Sequence, residues 1–166
     1  YQKKIQHITF DLNTSKTQCI NLKNELKDIR FKNSNCDNEN FGNNEYEVFK
    51  SAITYFKNKE YVRAIERFEY IINKGIEEEL VSESIYYVAV CFEKSNNYNL
   101  ARKYYDIYMN KYCKKNYYDE VLYNYGLMLY KQGDKEEAKK ILKKLKHDSP
   151  NSIFVNSKIK YILNNY

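Results

Sequence analysis

Two histidines, His7 and His147, and four cysteines, Cys19, Cys36, Cys91 and Cys113, are the residues of this chain best suited to acid–base, nucleophilic or metal chemistry. Their spacing does not support any of the three. Catalysis needs a base held against a nucleophile, and zinc needs ligands in close pairs such as CxxC; neither pattern occurs. No glycine-rich phosphate loop, GxSxG or HExxH is present. The acids that stand together, Asp119-Glu120 and Glu136-Glu137, are sequence neighbours at expected helix starts and do not face each other across a cleft. Asp134, after Gly133, is expected to cap a helix. The inventory predicts a non-enzymatic protein with no cofactor and no metal, its thiols free by default.

Charge is the next resource. The chain carries a formal +6, unevenly spread. Residues 1–44 hold seven Lys/Arg against five Asp/Glu, residues 45–93 six against ten, and residues 94–166 fifteen against seven. A basic last third, with Lys139, Lys140, Lys143, Lys144 and Lys146, raises an alternative function: an adaptor binding nucleic acid or anionic lipid. No base-stacking or groove-reading motif accompanies the charge, so nucleic acid is not the expected partner. Cations near a helix C-terminus also answer the helix dipole, as do the acids Glu77, Glu78 and Glu79 at a helix start. The 19 tyrosines sit among abundant Lys, Asn and Ile, a composition suited to an AT-rich genome, and are discounted as a functional signal. No run of about 18 apolar residues occurs. The first residue is Tyr, so a processed or truncated product is expected, with any signal or lipid anchor upstream.

The elements that would position these groups repeat. Ala64, Ala101 and Ala138 stand 37 residues apart, and twelve residues before each is another small residue, Ala52, Ala89 or Gly126. Bulky residues flank them in register: Val48, Ile85 and Leu122; Tyr55, Phe92 and Leu129; Phe68, Tyr105 and Leu142; Ile71, Tyr108 and Leu145. Close crossing of two antiparallel helices requires small residues at the contact, and stacking buries the face that each pair leaves open. Pro150 closes the last pair, and Asn151 to Tyr166, with Ile153, Phe154, Ile159 and Ile162, suits a capping helix. Four glycines and one proline in 166 residues agree with an all-α chain.

This pattern resembles the tetratricopeptide repeat family, although the usual tryptophan is missing and only one repeat ends in proline. The resemblance implies a right-handed superhelix of three helix pairs, repeats at about 45–78, 82–115 and 119–150, with a cap over 151–166. It also implies that the first helix of each pair lines a concave partner-binding groove. Here the corresponding residues are Tyr46, Phe49, Ile53, Phe56 and Lys57; Glu83, Tyr86, Val90, Glu93 and Lys94; and Glu120, Tyr123, Leu127, Tyr130 and Lys131. Ile53, Val90 and Leu127 replace the polar floor of the repeats that grip C-terminal carboxylates. An apolar groove instead suits an amphipathic helix or an extended hydrophobic peptide.

Upstream, Ile5, Ile8, Leu12, Ser15, Cys19, Leu22, Leu26 and Ile29 alternate spacings of three and four, the seam of a coiled coil over residues 1–32. It is expected to self-associate in parallel, Leu26 and Ile29 favouring more than two strands; folding back onto the repeats is the other reading. The polar, Asn-rich residues 33–44 are expected to be a flexible joint. A coil, a linker and three repeats of long period resemble the bacterial periplasmic YbgF/CpoB family. That resemblance implies a periplasmic or cell-envelope scaffold, attached to a membrane only through an upstream anchor, whose partner is another envelope protein and whose work touches cell division and the outer membrane.

Overall fold

The computed structural model describes residues 44–113 and 115–165, which form seven helices. They are α1 (Glu45–Lys57), α2 (Tyr61–Lys74), α3 (Glu78–Lys94), α4 (Tyr98–Lys111), α5 (Tyr118–Lys131), α6 (Lys135–Asp148) and α7 (Ser157–Asn165). Among the described residues there is no strand. The expected coil over 1–32 and most of the joint over 33–44 lie outside the described residues.

The 37-residue interval reappears in the helices. α2, α4 and α6 begin at Tyr61, Tyr98 and Lys135, and α1, α3 and α5 end at Lys57, Lys94 and Lys131. Each pair is joined by a three-residue turn whose middle residue is left-handed: Lys59 (φ 64°), Asn96 (φ 59°) and Gly133 (φ 87°). The backbone N–H groups of Glu60, Asn97 and Asp134 donate to the carbonyls of Tyr55, Phe92 and Leu129 at 2.9, 2.8 and 3.1 Å. This is the Schellman closure of a helix C-terminus, which satisfies carbonyls that the helix itself leaves open. One local rule therefore builds all three hairpins.

The six small residues, two to a hairpin, are buried as expected. Ala52, Ala64, Ala89, Ala101 and Ala138 are fully buried, and Gly126 is buried with them. Phe68, Tyr105 and Leu142, four residues beyond the second small residue of each pair, are also fully buried. Removing one such side chain from water contributes roughly 1.5–3 kcal/mol, so this row holds the pairs closed. Each helix packs on its neighbours in sequence, and α1 also reaches α3, so the pairs stack in order along one array.

The ends of the array differ from expectation in detail. Asn44, assigned to the joint, caps α1 by accepting the Tyr46 N–H at 3.0 Å. Asp134 occupies the N-cap position of α6 but makes no capping bond; its carboxylate instead accepts from Arg102 of α4 at 3.0 Å. The capping helix is α7 alone, shorter than the segment 151–166. Its Ile159 and Ile162 are buried, while Ile153, expected in the cap's apolar face, lies in the preceding loop and is 86% exposed. No helix among the described residues is long and apolar enough to cross a membrane.

Candidate functional site

Helices α1, α3 and α5 decide what the array can present. α3 buries ten of its seventeen residues, which leaves little more than Glu79, Glu83 and Tyr87 toward its start and Phe92, Glu93 and Lys94 at its end. α5 buries eight of fourteen and leaves a strip through Glu120, Tyr123, Asn124, Tyr130 and Lys131. α1, first among the described helices, buries only Val48 and Ala52.

Most of the predicted groove residues fall on these strips, but not all. Tyr46, Lys57, Lys94 and Lys131 are exposed; Phe49, Ile53, Phe56, Glu83, Glu93, Glu120, Tyr123 and Tyr130 are half-buried. Tyr86, Val90 and Leu127, expected on an open apolar floor, are buried. The cause is covering by the chain itself. Ile159 and Ile162 of α7 close over Leu127, with Tyr123 and Tyr130 against the same cluster. Tyr86 is sealed by Tyr117, whose ring stacks on it at a centroid distance of 4.5 Å.

The half-buried apolar side chains left along α1 and α3 are mostly aromatic and bordered by charge. Tyr87 of α3 is the hub: Phe49 and Phe56 of α1 meet it edge-on at 6.1 and 5.2 Å, and Phe68 of α2 stacks on it at 5.2 Å. Such pairs add ~0.5–1.5 kcal/mol each beyond their buried area. Tyr86 donates its O–H to Glu120 of the next pair at 2.7 Å, and burial together with that carboxylate pushes its phenol well above the ordinary range. Lys115 and Asn116 both donate to Glu79 at 3.0 Å, joining the α4–α5 loop to the start of α3. Glu83, beside them, has its carboxyl raised above the usual glutamate value, first by burial and then by Glu79. At the opposite end of the strips, a shallow cleft of about 430 Å³ is lined by Glu93, Lys94, Asn96, Tyr98, Met128, Lys131 and Gln132. Lys94 and Lys131 of successive pairs therefore share one depression.

The tyrosines hold helices together, both within a pair and between pairs. Tyr104 donates to Glu69 at 3.0 Å, Tyr118 to Asp148 at 3.1 Å, and Tyr105, fully buried, to Glu93 at 2.7 Å. Of these, a sequence signal exists only for the bond from Tyr104 to Glu69, 35 residues apart and near one repeat period.

Among the described residues no three His, Cys, Asp or Glu side chains converge to hold a metal. His147, next to last in α6, is exposed, with its Nδ1 2.9 Å from Asp148. Burial pushes the Cys91 thiol up to about 12, while Cys113 is exposed. In the basic third, Lys140 and Lys144 are engaged by Glu137 and Asp148. Lys143, Lys146 and His147 border a small depression of about 380 Å³ with Leu163 and Asn164.

An array of helix pairs, closed by small residues at fixed positions and open along its first helices, has a counterpart among known families. Residues 83–112 and 120–152 match the tetratricopeptide repeat. The second and third helix pairs thus match tetratricopeptide repeats in sequence as well as in geometry. The first pair, outside the match, carries the same small-residue crossing, left-handed turn and 37-residue register, so the fold is a TPR-like stack of three pairs. Tetratricopeptide repeats generally mediate protein–protein interaction. Among curated proteins no relative matches the chain.

Proposed function

We propose that this chain is a non-enzymatic scaffold that holds a partner protein along the open strips of α1, α3 and α5. The observation that carries the reading is the aromatic surface around Tyr87, bordered by acids and lysines, on the helices that a stack of this kind leaves accessible. The covered floor at Leu127 shortens the groove to its α1–α3 portion plus the two half-buried tyrosines of α5.

The finer reading is a scaffold of the bacterial cell envelope, in the periplasm, that self-associates through the seam Ile5 to Ile29 and serves envelope maintenance or cell division. Its support is the likeness of the whole arrangement, an upstream seam followed by three long-period repeats, to the YbgF/CpoB family.

A photocrosslinking amino acid placed at Tyr46 or Phe56 tests the binding face, with Val62 and Ile107, exposed on second helices, as controls. Adducts to one protein from positions 46 and 56 only are expected. Adducts from 62 and 107 alone would reject the groove.

A further inference from the structure

We infer that the occupant of the groove is an amphipathic helix whose apolar stripe is flanked by Lys or Arg on one side and by Asp or Glu on the other. The inference rests on the interaction reading above and adds the partner's chemistry.

Glu83 and Glu120 stand toward the N-terminal ends of α3 and α5, and Lys94 and Lys131 follow each by eleven residues. Eleven residues are close to three turns, so each acid and its lysine share one helix face about 16 Å apart. An α-helix with its side chains is about 10–12 Å across. A helix laid across α1, α3 and α5 therefore fits between the acidic row and the lysine row, with its flanking side chains reaching both. Between the rows it meets Phe49, Phe56 and Tyr87. What selects a helix over an extended peptide is the match of its width to the space between the two rows.

The charges are available to a partner. Among the described residues, Glu83, Lys57, Lys94 and Lys131 make no hydrogen bond or ion pair through their side chains. Glu120 accepts one phenol proton from Tyr86, which leaves lone pairs free. Helix dipoles favour acids only within the first turn, and Glu83 is the sixth residue of α3. It stands half-buried next to another acid, a placement that costs stability and that a cation from outside would relieve. On α1 the acid is replaced by Tyr46, whose exposed ring offers the same basic flank a cation–π surface.

The test is fluorescence anisotropy of the full chain with four labelled, stapled helical peptides of about 18 residues, long enough to cross three helices spaced about 8–10 Å. All share one leucine stripe; they carry Lys on one flank and Glu on the other, Lys on both, Glu on both, or Gln on both. Uniform flanks are the comparison because a helix reversed in the groove exchanges its flanks. The opposed-flank peptide is expected to bind about tenfold tighter than the others at low salt, with the advantage shrinking as salt screens it. Joint Glu83→Lys and Glu120→Lys, with unchanged circular dichroism, should shift the preference to the all-Glu peptide. Equal binding of all four peptides would overturn the inference and leave the groove reading intact. Binding of none would overturn both.

Discussion

Leu142 lies against the bare Cα of Gly126. A Cβ built on that glycine would stand 2.6 Å from Leu142 Cγ and closer still to Cδ2. The other hairpins pair alanine with a ring at these positions, Ala52 with Phe68 and Ala89 with Tyr105, and a flat ring leaves room that a branched leucine does not. Gly126→Ala should therefore destabilise the array by about 1–3 kcal/mol in urea unfolding, the usual cost of overpacking. In a Leu142→Ala background the same change should cost nothing, or gain up to ~1 kcal/mol from helix propensity. Additive effects in that double-mutant cycle would show that the contact does not set the crossing.

The three left-handed turns rank themselves. Lys59 adopts φ 64°, where a side chain with a Cβ is disfavoured; Asn96 tolerates the region better, and Gly133 has no Cβ at all. Lys59→Gly is expected to raise stability by roughly 0.5–1 kcal/mol and Asn96→Gly by less, while Gly133→Ala lowers it by ~1 kcal/mol. Thermal unfolding of the three variants checks the order.

Glu83 gives a pH dependence of definite sign. Its folded carboxyl is raised above the ordinary glutamate value by burial and Glu79. The folded state therefore binds that proton more tightly than the unfolded chain. The stability this contributes is full below the ordinary glutamate range and is lost as pH rises through the raised value. Glu83→Gln should flatten that segment of the stability–pH curve and leave the variant slightly more stable at neutral pH, an effect kept small by solvent screening. A variant that loses stability at neutral pH would contradict this.

The large features were legible because they are local or periodic. Six small residues at a 37-residue interval set the hairpins, and the acids Glu77, Glu78 and Glu79 stand at the start of α3 as expected. What escaped depends on partners in other elements of the fold. Asp134 looks like an N-cap from its neighbours, but Arg102, 32 residues earlier, takes its carboxylate. Tyr86 and Leu127 hold groove positions by register, and only the positions of Tyr117 and α7 bury them. Composition hid the tyrosines, since abundance carries no information about which ones reach Glu69, Glu93 or Glu120.

The thiols should separate cleanly. With Cys19 and Cys36 changed to Ser, a thiol reagent is expected to modify Cys113 in the native protein and Cys91 only on unfolding, because burial pushes the Cys91 thiol up to about 12 and the nucleophile is the thiolate. Rapid modification of both in native buffer would mean that the α3 core opens readily.

The face on which a partner sits is the central claim, and titration of the crosslinked partner, once purified, tests it most directly. Phe49→Glu should weaken its binding to the full chain at least tenfold, with the helical spectrum unchanged, while Val62→Glu on the outer helix α2 leaves affinity as it was. Loss of binding in the Val62 variant, with Phe49→Glu still binding at full affinity, would contradict the account.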